Sequence, residues 1–430
     1  MLSLSVLVSL VVSVTLLPAL QAIFGRVLFW PARPTSRRSG AVGRAAARVL
    51  TVRVVALVLG AACVLGLAML GTSAERLRLG VSFVAALPAD DPARVAADEA
   101  ASGFAPGIVA PTEVLLQAQR VGADTQKLAR LGRDLARQPG VAGVVSPGAL
   151  PDEVTHKLLV TPDGDAARFL VIFDHDPLGA IAIQDVNQLS AALPDLVQRS
   201  GLAGARAGLA GDTAIASELV TATDADLRRI AIAVLTVNLI LLMVFLRAVV
   251  APVLLLGCSI LALAASLGCL TLVLQDRLGH DGVAFYVPFA ASVLLLSLGS
   301  DYNIYGVGHV WTRADHVPLR TAIAERVPET SGAITAAGLT LAASFAMLAL
   351  VPLRQFRELA FVMALGVLID ALIVRSVLVP TLLTLLGRYS AWPRRLGGAP
   401  DGDAPEAPSS GRTVHAASVE EGALPTSARE

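Results

Sequence analysis

Apolar residues in this chain come in blocks long enough to cross a bilayer. A spanning helix needs about 20 largely apolar residues, with a lower limit of about 17. Seven segments meet that test: Leu2–Leu20, Val54–Leu70, Leu227–Leu246, Val250–Val273, Val283–Val307, Gly332–Leu350 and Leu359–Leu386. The last holds two ionisable residues, Asp370 and Arg375. Between the second and third blocks the pattern changes. Thr112–Gln117 and Arg168–Phe173 are β-branched or alternating runs that suit strands. Asp124–Gln138 carries Leu128, Leu131 and Leu135 at helical spacing, with Asp124 as a cap and Pro139-Gly140 as a stop. Ile183–Val197 repeats that pattern ahead of another strand near Ala205–Ala210. The order strand, helix, strand, helix, strand predicts a split βαβ unit within an α/β domain over residues 71–226.

Composition agrees with a membrane protein. Hydrophobic residues make up 55% of the chain and charged ones 16%, against about 25% charge in soluble domains. The net charge is zero, so there is no global basic field for nucleic acid. Cys63, Cys258 and Cys269 all lie in apolar runs, which excludes a disulfide framework or a CxxC metal site.

The placement of charge predicts the topology. Residues 26–53 hold Arg26, Arg33, Arg37, Arg38, Arg44, Arg48 and Arg53 with no acidic residue. A short linker this basic belongs in the cytoplasm. A cleaved signal peptide is disfavoured, because Met1–Val6 is uncharged and the site after the apolar run is poor. With the linker inside, residues 1–25 and 54–70 are spans and residues 71–226 are extracytoplasmic. Residues 227–386 form a five-helix bundle, interrupted by a cytoplasmic loop over 308–331 with Arg313, Arg320 and Arg326. Arg354 and Arg357 fall in a small outer turn, against the trend. Residues 387–430 form a cytoplasmic tail whose Pro, Gly, Ala, Ser and acidic content predicts disorder. Met1 is left outside, with no preceding charge to place it there.

The ends of the first and seventh spans repeat each other in register. Leu17-Pro18-Ala19-Leu20, Gly25-Arg26 and Trp30-Pro31 match Val379-Pro380-Thr381-Leu382, Gly387-Arg388 and Trp392-Pro393 at one constant offset. Parallel repeats are a known construction of transporters. On this reading the first span is the last helix of a first repeat, and the rest of the chain is one whole second repeat. That makes the chain a C-terminal half: a split gene, a truncated frame or a wrongly chosen start.

Several stretches resemble the MmpL-like (MMPL) branch of the RND (resistance–nodulation–division) transporter superfamily, over roughly residues 1–395. They are Gly299-Ser300-Asp301-Tyr302-Asn303, Ala322–Pro328, Ser331–Gly338 and Leu368–Ser376, with Val379-Pro380 after it. The resemblance implies a polytopic α-helical membrane protein of about seven spans with one extracytoplasmic α/β porter-like (split βαβ) domain. It would be half of an RND-type repeat pair, with the other porter domain and spans on the first repeat.

Ionisable residues inside the spans are the candidate site. A carboxylate in the bilayer is costly unless it faces the bundle interior or water, so it marks function by default. Asp301 is the foremost, a turn or two from the inner end of the fifth span, sharing a helical face with Ser297 and Tyr305. The resemblance implies that Asp301 and Tyr302 belong to a proton relay, whose partner Asp-Tyr pair lies in the first repeat. Asp370 divides evenly between relay member and structural glue. Arg375 stands five residues on, about 140° around an α-helix, so the two are not expected to pair, and Arg375 can snorkel to the inner surface. Thr335 and Thr340, near the small-residue run Gly332–Gly338, can bond across helices, with packing the leading role. Asp174-His175-Asp176 reads as a solvated turn rather than a metal site. His309 reads as a surface residue near the cytoplasmic mouth. No Walker A, GxSxG or HExxH motif is present, so neither an ATPase nor a hydrolase is supported.

The function expected is a proton-driven secondary transporter of the cytoplasmic membrane, with no cofactor, exporting lipid-like or hydrophobic substrates. Its partners would be that substrate, the membrane, and either a separate N-terminal half or a homo-oligomer such as a trimer; nucleic acid is not among them. The alternative is a non-transporting membrane subunit or remnant whose outer domain binds a lipid or protein.

Overall fold

The computed structural model describes residues 2–28, 49–81, 83–149, 151 and 158–397. Most of the basic linker and residues 398–430 of the expected tail therefore lie outside the described residues. Seven helices are long and apolar enough to cross a membrane, as the blocks of apolar sequence predict. They are carried by α1 (Leu2–Leu28), α2 (Arg53–Thr72), α6 (Asp212–Leu246), α7 (Val250–Leu270), α8 (Tyr286–Ala314), α9 (Leu319–Ala346) and the long final span. That span is built from α10 (Arg354–Leu368), a π-helical stretch Ile369–Leu378 and α11 (Val379–Leu386). A second π-helical stretch, Thr271–Arg277, extends α7.

Small residues let these helices approach closely, the packing device available where lipid removes the hydrophobic drive. A Cβ on Gly268 would overlap the Leu70 carbonyl of α2, and one on Gly338 would come 2.6 Å from the Ala371 Cβ. Gly332 faces open space. Thr340 donates to Ala336 O within its own helix, 2.9 Å away.

Between α2 and α6 lies the α/β unit. Its described elements are β1 (Leu79–Gly80), α3 (Pro92–Gly103), β2 (Thr112–Gln117), α4 (Thr125–Ala136), β3 (Val141–Val145), β4 (Ala166–Phe173), α5 (Ala180–Arg199) and β5 (Arg206–Ala210). Strands β2 to β5 make one antiparallel sheet in the order β3-β4-β2-β5. With helices after β2 and β4, this is the complete βαββαβ arrangement, one strand more than the sequence pattern predicts. The extra strand is β3, a five-residue run with Gly143 in its middle and a register irregularity between Val141 and Gly143. It carries no alternating signal, since four of its five positions are half-buried.

The core of the unit follows from two periodicities. Ala167, Phe169, Val171 and Phe173 point to one face of β4 and are buried. Leu128, Leu131 and Leu135 of α4 and Val186, Leu189, Leu193 and Leu196 of α5 cover that face.

Three boundaries differ from the sequence reading. The helix that carries the third span begins well before Leu227: α6 starts at Asp212, because the polar stretch before the span contains no Gly or Pro to stop a helix. The loop expected over 308–331 is mostly helix, with only residues 315–318 between α8 and α9. Residues 387–397 are not a loose tail. Ser390, Ala391 and Leu396 are buried, Val249 N–H donates to the Trp392 carbonyl at 2.8 Å, and Arg394 pairs with Asp315 at 2.5 Å.

A short parallel ribbon, unpredicted, joins the α/β unit to the helices: Leu79 and Gly80 of β1 pair with Val283 and Ala284 of β6 (Val283–Ala284), just before α8. Phe169 is fully buried at the centre of the α/β core. Phe169→Ala should destabilise that unit by about 3–5 kcal/mol. Hydrogen exchange in the full chain should show faster exchange at β2 and β4 amides, with helix α7 unchanged.

Candidate functional site

The sequence places Arg375 inside an apolar span, and the π-helical stretch decides what it meets. A π turn closes its hydrogen bonds between residues five apart, which stacks i over i+5. Asp370 and Arg375, separated by that interval, therefore pair: Arg375 Nε donates to Asp370 Oδ2 at 3.1 Å. This corrects the α-helical expectation of about 140° between them. It also corrects the expectation of snorkelling, since the Arg375 side chain is 4% exposed and that of Asp370 13%. Two local causes favour the wide turn. Pro380 has no N–H to return to Ser376 O, and Ser376 Oγ donates to Ala371 O at 2.9 Å, five residues back.

The rest of the guanidinium reaches across to α8. Nη1 donates to Asn303 Oδ1, and Nη2 to Gly299 O at 2.5 Å. Gly299 and Asn303 are one turn apart and share a face. A Cβ on Gly299 would lie 3.4 Å from Arg375 Nη2 and 3.3 Å from Ser259 Oγ, so glycine there leaves room for the guanidinium. Asp370 Oδ1 is buried and finds no hydrogen-bond partner among the described residues.

Two small cavities flank the network. One, of about 20 Å³, is lined by Ser259, Gly299, Tyr302, Gly366 and Asp370 among others. The other, of about 30 Å³, is lined by Tyr302, Asn303, Thr330, Ser331, Arg375 and neighbouring apolar groups. Each is large enough for one or two waters and has the polar lining that waters need. Tyr302 lines both.

The sequence-predicted residues separate into two groups. Tyr302, Asp370 and Arg375 come together. Asp301 stands near the middle of α8, which continues to Ala314, past the predicted end of the span at Val307. Two residues from both Gly299 and Asn303, it occupies the opposite side of the helix, about 200° around. The neighbours of that register position, Leu294, Ser297 and Tyr305, are exposed in this chain. The Asp301 side chain itself lies outside the described residues. Asn303 and Gly299 join the site unannounced, although their four-residue spacing marks one helical face. Glu358, 2% exposed near the start of the last span, is a second buried carboxylate that the sequence reading missed.

The described histidines lie apart from this network. His309 Nδ1 is 2.8 Å from Tyr305 O on the exposed side of α8. In the α/β unit, His175 Nδ1 lies 3.3 Å from Asp185 Oδ2. Burial pushes the Asp185 carboxyl above its usual range, and the His175 charge opposes that. Among the described residues no group of His, Cys, Asp and Glu could hold a metal ion.

The chain matches the MMPL family over residues 85–406. It belongs to that family. A Streptomyces coelicolor membrane protein, SCO5905, is 32% identical over 403 residues, which is 92% of this chain and 46% of that protein. The apo-petrobactin exporter of Bacillus anthracis is 26% identical over 414 residues, 92% of this chain and 53% of the exporter. The transport protein MmpL10 of Mycobacterium leprae is 34% identical over 272 residues, 62% of this chain and 27% of MmpL10. The chain thus spans about half the length of the first two relatives and less of the third. The matched region contains the α/β unit from α3 onward and the five helical spans that hold the network.

Removing one partner of a buried ion pair strands the other, at a cost of about 3–5 kcal/mol, whereas replacing both with apolar groups is close to neutral. Arg375→Ala should therefore lower the thermal stability of the detergent-solubilised chain more than the double change Asp370→Leu with Arg375→Met. Equal destabilisation by the two would contradict the pairing.

Proposed function

We propose that this chain works as one half of a proton-driven secondary transporter that exports lipid-like or hydrophobic substrates, with the α/β unit on the outer side of the membrane. The observation that carries this reading is the buried Asp370–Arg375 pair tied to α8 through Asn303 and Gly299. A purely anchoring helix has no use for such a costly pair. Protonating Asp370 removes the counter-charge of a guanidinium that stays charged. Arg375 must then find new partners, and because it bridges two spans, its move changes how they pack. That supplies two helix arrangements with different proton affinities, the requirement for coupling. Tyr302 lines both water-sized cavities beside the pair and completes a route for the proton.

Asp301 has its place in the same reading. It stands on the side of α8 away from Arg375, where a second repeat would pack, supplied by a longer chain or a separate one. The names of relatives support transport: one is an exporter and another a transport protein. The arginine-rich stretch 26–53 supports a cytoplasmic linker and so an outer α/β unit.

The pair also fits the alternative of a membrane subunit that does not transport, in which Arg375 merely holds α8 against the last span. Substitution separates the two. Asp370→Asn and Asp301→Asn should each reduce efflux of a lipophilic fluorescent dye from intact cells by about a hundredfold or more, as loss of a proton carrier demands, with membrane abundance unchanged. Undiminished efflux in both variants leaves the packing role alone.

A further inference from the structure

The seventh span enters the bundle through a second ion pair, its carboxylate buried and its guanidinium partly so, far from the first. Glu358 Oε1 accepts from Arg354 Nε at 3.0 Å, one helical turn away. Its other oxygen, Oε2, accepts from Ala284 N–H at 2.9 Å. Arg354 Nη2 donates to Gly282 O at 2.6 Å, and its backbone N–H donates to Ala86 O at 2.9 Å. The carboxylate thus satisfies the one amide of β6 that β1 leaves unused. Val283 N–H goes to Arg78 O and Phe285 N–H to Gly80 O, at 2.9 and 3.1 Å.

The ribbon that Glu358 holds is pressed against the α/β unit on its other side. Val81 N–H donates to Leu178 O at 2.8 Å. A Cβ on Gly80 would come 3.0 Å from Ala180 N, and one on Gly282 would overlap the Ala180 Cβ. Ala180 opens helix α5, the longest helix in that unit. Four segments therefore meet here: the exit of α2, the lead-in to α8, the start of α10 and the start of α5. The cavity among them is about 50 Å³, lined by Gly80, Asp176, Ala180, Gly282 and Glu358 among others, so little space separates them.

We propose that Glu358, acting through Arg354, is the positioning residue that couples movement of the seventh span to the α/β unit. The assignment rests on the transport reading, in which a change at Asp370 must reach the substrate-handling domain. Asp370 lies twelve residues further along the same helical span, about 18 Å away at 1.5 Å per residue. A shift of this span moves Glu358 with it. Through Ala284 N–H and Gly282 O the ribbon follows, and through Gly80, Gly282 and Ala180 so does α5.

Hydrogen exchange on the full chain in lipid nanodiscs tests this, in four backgrounds: unsubstituted, Asp370→Asn, Glu358→Ala and the double variant. Glu358→Ala should speed exchange at Val81, Val283 and Phe285 by about a hundredfold, since it breaks a partly buried pair, while β4 amides stay unchanged. Asp370→Asn alone should alter exchange at the ribbon and at the start of α5. In the double variant that response at α5 should vanish. Glu358→Gln keeps the acceptor and the size but not the charge; it should weaken the response, and it carries the test if the alanine variant does not fold. A response to Asp370→Asn that is the same with and without Glu358, or no response in any background, overturns the coupling role. Dye efflux measured on the same variants keeps the two ideas apart. Normal efflux in both Asp370→Asn and Asp301→Asn with a Glu358-dependent response removes the transport reading and leaves the coupling. Lost efflux with a response indifferent to Glu358 does the reverse.

Discussion

A guanidinium that cannot be deprotonated must be solvated wherever it goes, and inside a helical bundle that falls to side chains, carbonyls and trapped water. That constraint shapes the last span. To give Arg375 a carboxylate on its own helix, the backbone widens to a π turn over Ile369–Leu378. To give it further acceptors, α8 comes close enough to offer a glycine carbonyl and an asparagine. The small residue at Gly299 and the contact of Gly338 with Ala371 belong to the same adjustment. The wide turn costs backbone regularity, and its return is a charge pair held between two spans.

The same span carries Glu358 near its start, so two ion pairs sit on one element. They differ in surroundings. The Asp370 pair is bounded by side chains of neighbouring helices and by cavities of water size. The Glu358 pair is bounded by backbone of the β1–β6 ribbon. The first has neighbours that can re-pair, and the second has neighbours that can only follow.

Much of the fold was legible in the sequence because the signals are periodic. Apolar blocks located the seven helices, strand β2 has the bounds its pattern predicts, and the leucines of α4 lie buried at the predicted spacing. What escaped were elements without a period. Strand β3 is five residues with a glycine in it, and the β1–β6 ribbon pairs two residues with two. Their existence is decided by partners distant in sequence. The candidate site was half legible for a related reason. Asp370, Arg375 and Tyr302 stand out as polar groups in apolar runs. Their geometry assumed 3.6 residues per turn, and the π segment breaks that assumption. Glu358 hid among Arg354, Gln355 and Arg357 at the edge of a span, where a charge attracts no notice. The spacing within α8 sets Asp301 apart from Gly299 and Asn303, but which face meets Arg375 is decided by packing between spans 72 and 76 residues apart.

The unbroken run of α6 has its own consequence. Its 35 residues make a rod about 52 Å long at 1.5 Å per residue, against a hydrocarbon layer of about 30 Å. Nothing in it can bend easily, since it holds neither glycine nor proline. Its first turns are packed into the α/β unit, where Ser217 Oγ donates to Asn187 Oδ1 of α5 at 2.6 Å. Such a rod behaves as a lever with its fulcrum in the membrane. Tilting it by about 5° about its membrane end sweeps the other end through about 4.5 Å, without disturbing a single backbone hydrogen bond along the way.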